Sequence, residues 1–463
     1  MLDHTVRSLP LRGKSSKSHS FLFYSKKMAK LVTEPTKTPL IRWFYLLANL
    51  PLWRSGLSRD TFWLMTGTII AALGGFLYWK LVTFFYPSEM VGIAAAMLSS
   101  ATFLAGLANL GLTTGIVRFL PRMIPQDKTT LIVFSYLVSA GMGLIASFIF
   151  LAGRDWWAPD FAPAGAGWLY FVAFMMLVLT LALMNVHISL FQAERQLKVP
   201  VWKNIGVVLG QILLILLLPL SLGAVGIVGA VLLSTLLFVL LLFWSIPSIT
   251  GIPLRLTGLQ TSQLKPMVVY SLGNQVFNLL WGLPNFFFPL LVLNRLGASA
   301  NAHFAVPWLI SNFVLIISKS VSVALLIDGS HDEGRLSHQV RLALLANCML
   351  IIPLVLVLVA LTPFILGIFG PEYASQSTDL LRLLVFTSLP ESIISVYVTI
   401  KKVSKQIISM NLFMLIFNGL MMIISVMMVD SFGLIGVGWS FLLSHVLCAV
   451  MVLPRLWISM TKQ

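Results

Sequence analysis

Arg59-Asp-Thr-Phe-Trp-Leu-Met-Thr-Gly67 opens an apolar run, and Lys265-Pro-Met-Val-Val-Tyr-Ser-Leu-Gly273 opens another 206 residues later. In each, a cation precedes a stretch that is apolar over about twenty residues, long enough to cross a hydrocarbon core of ~30 Å as a helix. The correspondence continues outward. Ser88-Glu-Met-Val-Gly-Ile-Ala94 aligns with Ser299-Ala-Asn-Ala-His-Phe-Ala305 at an offset of 211, and Arg195-Gln196 with Lys405-Gln406 at 210. Gly223-Ala-Val-Gly226 and Gly433-Leu-Ile-Gly436 also stand 210 apart. One membrane unit is written twice.

Composition agrees. The 463 residues are 58% apolar and 10% charged, with a mean hydropathy of +0.94, against about 25% charged in ordinary soluble domains. Helices satisfy their own backbone groups in lipid, so the expected class is an all-α polytopic membrane protein. Its spans are 61–83, 91–117, 130–152, 168–192, 201–220 and 223–245, then 267–293, 302–327, 340–362, 379–400, 408–429 and 433–453. Twelve helices as two pseudo-symmetric six-helix lobes around a central cavity follow from a parallel duplication, with a site near mid-depth. The expected organisation is a tail (1–60), a first lobe (61–245), a linker (246–266), a second lobe (267–455) and a short C-terminus (456–463).

Residues 1–60 carry 11 Lys or Arg against three acids, and no apolar core with a cleavage site marks a signal peptide there. Ile41 to Trp53 is too short to span and rich in aromatics, which suits a segment in the headgroup layer. The surrounding cations suit anionic lipid, at about 1 kcal/mol each; a solvated leader is the plain alternative. Beyond the tail, cations gather in the loops on its side, with Arg118, Arg122, Lys128, Arg195, Lys198, Lys203, Arg255, Lys265, Lys401, Lys402, Lys405 and Arg455. The opposite loops hold only Lys80, Arg154, Arg295 and Arg382, against the six acids Glu89, Asp155, Asp160, Glu372, Asp379 and Asp430. The positive-inside rule then places both termini in the cytoplasm of a cell-membrane protein. The net charge of +16 is spent on orientation, so it makes no case for nucleic acid. The acidic stretch Asp328 to Gly334 reads as a solvated turn. Cys348 and Cys448 fall inside spans and read as packing; neither a metal nor a cofactor is expected.

Function is sought among the few polar groups within the spans. Lys319 in span eight and Glu391 in span ten each cost ~2.5 to 3.5 kcal/mol on insertion scales unless they face a cavity or a partner. They are candidates for substrate binding and ion coupling, or for a structural ion pair with each other. The repeat places Asn109 opposite Lys319. Asn274, Gln275, Asn278 and Asn285 crowd span seven, where Asn274 and Asn278 share a face and Pro284 and Pro289 favour a bend; their plainer role is interhelical hydrogen bonding. Arg118 either captures an anionic headgroup or anchors span two. His187 reads as packing.

The twelve-span duplication, the hairpin ending Gly111-Leu-Thr-Thr-Gly-Ile-Val-Arg-Phe-Leu-Pro121, the loop Phe191-Gln-Ala-Glu-Arg-Gln-Leu-Lys198 and the Gly-x-x-Gly starts of spans six and twelve together resemble one known family. They are similar to the polysaccharide-export flippases of the multidrug/oligosaccharidyl-lipid/polysaccharide exporter superfamily over residues 59 to about 455. The resemblance implies a transporter, not an enzyme, that flips a polyprenyl-pyrophosphate-linked oligosaccharide to the outer leaflet by alternating access. Substrate binding would then fall to Lys319, Arg118, Asn109, Asn274, Gln275 and Asn278, ion coupling to Glu391, and polysaccharide polymerase or glycosyltransferases would be partners. The alternatives are an ion-coupled drug exporter of the same superfamily, for which spans one to six lack a buried carboxylate, and a membrane glycosyltransferase or polymerase, which would need a large catalytic loop. A major-facilitator carrier is disfavoured because the residues from Arg118 to Lys128 lack the Gly-x-x-x-Asp-Arg-x-Gly-Arg pattern.

Overall fold

The computed structural model describes residues 57–463, apart from 163–166, 253–264, 332–335, 405 and 462–463; it also leaves undescribed the side chains at 57–62, 125–126, 265–266, 269, 316–339, 342, 403 and 458–461. The interfacial segment at 41–53, most of the linker and the acidic loop therefore lie outside the described residues. What is described beyond Arg59 forms one compact unit.

Thirteen α-helices of eight residues or more build it among the described residues. The first half contains α1 (Leu57–Phe85), α2 (Ser88–Ala108), α3 (Leu112–Phe119), α4 (Pro125–Ala152), α5 (Trp168–Ala193), α6 (Lys198–Leu217) and α7 (Gly223–Thr250). The second contains α8 (Lys265–Leu296), α9 (Ala298–His331), α10 (Leu336–Gly367), α11 (Pro371–Phe386), α12 (Ser388–Val403) and α13 (Ile407–Thr461). Among the described residues, ten stretches are long and apolar enough to cross a membrane. One of them, Ile407–Trp457, is two passes joined at Gly433, where the backbone leaves the helix at φ 58° and ψ −139°. The Oγ atoms of Ser425 and Ser440 meet at 2.7 Å across that point, as only a hairpin allows. With α9 the count is twelve passes, and the chain is a multi-pass membrane protein.

The duplication is visible in backbone angles. Gly223, at φ 53° and ψ −132°, repeats the Gly433 conformation 210 residues earlier, a region that a residue with a Cβ enters only under strain. Two spans depart from the sequence reading. Span two, expected to run unbroken over 91–117, stops at Ala108 and restarts at Leu112, with Leu110 (φ 47°) and Gly111 (φ 74°) between. The break escapes a hydropathy reading because Leu107, Leu110 and Leu112 keep the stretch apolar on average across it. Span ten begins at Pro371 and is divided at Thr387 into α11 and α12. Pro284 and Pro289 lie inside a continuous α8.

Packing follows lipid rules. Large side chains such as Phe148, Trp244 and Phe364 are more than 60% exposed, which in water would be a liability and in acyl chains is the natural surface. Within the first half α5 packs on α2, α4 and α7, and within the second α9 packs on α10, α11 and α12. The halves meet where α2 lies against both α8 and α9, and α3 against α8. Loop charges on one side are tied off in pairs, Arg154 with Asp155, Arg295 with Asp430 and Arg382 with Asp379. On the other side Lys128 meets Glu194 at 2.6 Å.

Replacing Gly433 with Ala forces a Cβ into the glycine-only region at an estimated cost of ~1–3 kcal/mol. Thermal unfolding in detergent should show a lowered midpoint for this variant and a similar loss for Gly223→Ala.

Candidate functional site: an amide-lined crevice between the halves

A cavity of about 400 Å³ opens between α1 and α2 of the first half and α8 and α9 of the second. Its polar wall is Ser99, Thr102, Gln275, Asn278, Asn285 and Asn312, and its aromatic wall includes Trp79 and Trp308. No ionisable side chain is among its described lining residues.

Helical spacing accounts for the wall. Gln275, Asn278, Gly282 and Asn285 recur at three and four residues, so they form one stripe of α8, and Trp308 and Asn312 are one turn apart on α9. Each amide is held. Gln275 donates from Nε2 to the Gly106 carbonyl across the interface at 2.9 Å, Trp308 donates from Nε1 to Asn285 Oδ1 at 2.9 Å, and Asn312 donates from Nδ2 to the Trp308 carbonyl at 2.8 Å. Phe103 stacks on Phe286 at 4.5 Å between ring centres, again from one half to the other. Both halves thus present fixed, neutral hydrogen-bonding groups beside indole faces.

On the side of the α1–α2 turn the crevice is closed. Ser88 Oγ and Ser299 Oγ, the residues aligned by the repeat, meet at 3.0 Å. Asn301, fully buried, donates from Nδ2 to the Gly92 carbonyl at 2.7 Å. A Cβ at Gly92 would collide with the Ala298 carbonyl, so glycine there lets the two helices touch. On the basic-loop side, the α3 backbone at Gly111 lies against Ser271 of α8.

The residues singled out in the sequence are distributed unevenly. Gln275 and Asn278 line the cavity. Asn274 does not; its Nδ2 donates to its own helix at the Tyr270 carbonyl. Asn109 is turned into the first half, where it is 2% exposed, donates to the Ala105 carbonyl and accepts from Ser139 Oγ at 2.9 Å. A shared offset matches sequence, not rotation about a helix, and the break at Asn109 uncouples the two. Arg118 is exposed, its guanidinium 4.2 Å from the Tyr270 ring centre. Lys319 lies within α9, seven residues beyond Asn312, and its side chain is outside the described residues. Glu391 is 6% exposed on α12, with Oε2 3.6 Å from Nε2 of His445 on α13. His187 is buried, with Nδ1 bonded to the Leu183 carbonyl. Cys448 is buried and Cys348 exposed, and no metal-holding group of His, Cys, Asp or Glu occurs among the described residues. The indoles and His445 were missed. A Trp beside an Asn at helical spacing, and a lone His in an apolar run, were the available signals.

This arrangement of helices around a crevice has known counterparts. The chain overlays a multidrug-resistance MATE family transporter of the MOP superfamily in its inward-facing conformation with a TM-score of 0.69, at 15% identity over 87% of this chain and 99% of that one. The outward-facing conformation of such a transporter gives 0.58 at 16% identity, over 87% and 95%. A MOP superfamily transporter from Pyrococcus furiosus, described as having a binding pocket of reversed polarity that suggests a different function, gives 0.60 at 15% identity over the same shares. The chain has the MATE fold. No protein-family model and no curated protein matches it. The two-lobe, twelve-helix reading therefore stands on architecture, and the crevice lies where the two halves meet.

Cysteines introduced together at Ser88 and Ser299 should join under mild oxidation, since the native hydroxyls are 3.0 Å apart. Mobility on a non-reducing gel would reveal an internal cross-link, and its absence would mean that this end of the crevice is open in the membrane.

Proposed function

We propose that this chain is an alternating-access exporter that flips a polyprenyl-pyrophosphate-linked oligosaccharide from the cytoplasmic to the outer leaflet, with both termini in the cytoplasm. The observation that carries this reading is the uncharged wall of amides and indoles. Hydroxyl-rich heads exchange water for such donors and acceptors without placing a bare charge in the membrane, and Trp79 and Trp308 offer flat apolar faces to sugar C–H groups. The lipid tail stays in the bilayer while the head passes between the halves. Gln275 and Asn278 grip the sugar from α8. Lys319, two turns of α9 beyond Asn312, and Arg118, at the basic-loop end of α3, serve the pyrophosphate as it enters. An inside-negative potential then helps, because two charges crossing ~100 mV gain roughly 4.6 kcal/mol. Glu391 is the ion-coupling group. The basic tail adds attachment to anionic lipid, and a polymerase or glycosyltransferases act on either side of the step.

A second reading is supported by the likeness to multidrug MATE transporters: an ion-coupled exporter of drugs or small solutes. A cationic drug calls for a carboxylate in the binding crevice. Here the buried carboxylate, Glu391, lies against His445 and is not among the cavity's lining residues.

Two substitutions separate the readings. Trp308→Ala removes an indole face and frees Asn285; in proteoliposomes carrying a labelled lipid-linked oligosaccharide its flip rate should fall roughly tenfold, the equivalent of about 1.4 kcal/mol. In cells, Lys319→Ala should make lipid-linked oligosaccharide accumulate on the cytoplasmic leaflet while insertion is normal. Efflux of a cationic dye that exceeds saccharide movement, and that is insensitive to both changes, would favour the drug exporter.

A further inference from the structure

Helix α6 presents three different faces along its length. Val201 and Val208 lie against α1, where a Cβ at Gly67 or Gly74 would press on them, and Asn204 between them donates from Nδ2 to the Gly67 carbonyl at 2.8 Å. Gly206 and Gly210 lie against Phe238 and Ser234 of α7. The third face is open to lipid. Trp202, Leu209, Leu213 and Leu216 are 54 to 67% exposed, and steps of seven, four and three residues set them in one stripe.

Two cations flank the start of that stripe. Lys198, exposed, stands one turn before Trp202, and its ammonium is 5.6 Å from the centre of the Trp63 ring of α1. Lys203, half-buried, follows Trp202 and shares with Gly206 and Gly210 the side toward α7. Both belong to the stretch Lys198–Leu217, which is long and apolar enough to span. The acid just before them, Glu194, is taken by Lys128 at 2.6 Å. Among the described residues no carboxylate pairs with Lys198 or Lys203.

The duplication supplies an internal comparison. At the corresponding positions, 210 residues on, the first pass of α13 has Ile408, Leu412 and Phe413. Ile408 is 86% and Leu412 56% exposed, and the nearest cations, Lys401 and Lys402, sit in the last turn of α12 instead. A helix can therefore enter the bilayer at this point of the fold without a cation in its first two turns. Helix α6 carries two. An ammonium at the edge of the hydrocarbon calls for a counter-ion, and where the protein offers none, the anion that a bilayer supplies at that depth is a lipid phosphate.

We infer that Lys198, Trp202 and Lys203 form a site for one anionic glycerophospholipid in the leaflet on the basic-loop side. Its phosphate lies between the two ammoniums, Trp202 sits at the glycerol level as interfacial indoles do, and an acyl chain follows Leu209, Leu213 and Leu216. Cations and apolar stripe together match an amphiphile, where either alone would not. The site is on the outer surface of α6 and is independent of the saccharide reading. Since Lys198 also meets Trp63, and α1 contributes Trp79 to the crevice wall, the bound lipid braces α1 against α6.

Acetylation of lysines in the full chain, embedded in nanodiscs, tests this residue by residue. The probe is phosphatidylglycerol, compared with phosphatidylcholine of the same acyl chains, and peptide mass spectrometry reads each lysine against Lys401 and Lys402 as internal standards. Relative labelling of Lys198 and Lys203 should fall severalfold in phosphatidylglycerol. Unchanged relative labelling overturns the site, and because the native chain is used, no folding failure can obscure the result. Glycerol 3-phosphate, the headgroup without chains, should protect neither lysine in phosphatidylcholine nanodiscs; protection by it would mean that the apolar stripe takes no part, and the amphiphile site would fall. A polyprenyl pyrophosphate that protects both lysines at a lipid fraction where phosphatidylglycerol does not would assign the cations to a transported lipid and overturn the site equally.

Discussion

Within a bilayer a polar side chain has no water to turn to, and the nearest acceptor is the carbonyl one turn back on its own helix. This constraint explains most of the polar residues in the chain. Thr68, Thr102, Ser135, His187, Asn274, Asn312 and Thr362 each donate to the residue four before. Such a bond hides the group and commits it to no neighbour. The fold is specified by the minority that reach elsewhere, among them four that bond to the backbone of another helix: Asn204 to the Gly67 carbonyl, Gln275 to Gly106, Asn301 to Gly92 and Asn418 to Leu280. All four are amides, long enough to cross from one helix to the next, and two of them join the halves. Their net contribution to association is modest, about 0.6 kcal/mol on average for polar contacts between membrane helices, so their role is to fix register where apolar packing would tolerate sliding.

The same rule sets how much was legible beforehand. The duplication was readable because it needs only the recurrence of turn chemistry, and Ser88 with Ser299 and Gly223 with Gly433 carry it in letters. The crevice was half readable. Gln275 and Asn278 belong to a dense cluster of amides, and density on one helix is a sequence property. Asn109 was misplaced because its bonding partner, Ser139, lies on another helix of its own half, and Asn274 because its amide turns back on α8. Which amides cross and which fold back depends on rotation about each helix axis, and in spans apolar on every side no periodicity records that rotation. Trp308 and His445 were overlooked for the converse reason. Each is a single residue in an apolar run, and its meaning comes from Asn285 and Glu391 opposite.

The neutral cavity is a consequence of where charge is tolerated. Loop charges at the α1–α2 end are neutralised locally, and exposed pairs of that kind contribute at most about 1 kcal/mol; they lower the net charge of that face more than they stabilise it. Inside, the cavity wall is neutral throughout its described residues, and the buried acid is set behind it against an imidazole. A neutral wall offers a passing polar group hydrogen bonds without a strong ion pair to trap it.

In the proposed alternating-access cycle the two ends of the crevice exchange roles, and they are built unequally. At the α1–α2 end, α2 touches α9 through Gly92, Ser88 and Asn301, backbone against backbone, so opening there parts whole helices. At the other end the contact belongs to α3, which is already severed from α2 by Leu110 and Gly111. A leucine held at φ 47° carries roughly 1–2 kcal/mol of strain, enough to mark a joint and too little to break one. Helix α3 can therefore leave Ser271 and α8 by turning about Leu110, with α2 still seated on α9. In the proposed flippase the hinged end faces the basic loops, where the charged part of a lipid-linked head would enter, and the end that opens by separating whole helices would stay shut until the head is in place.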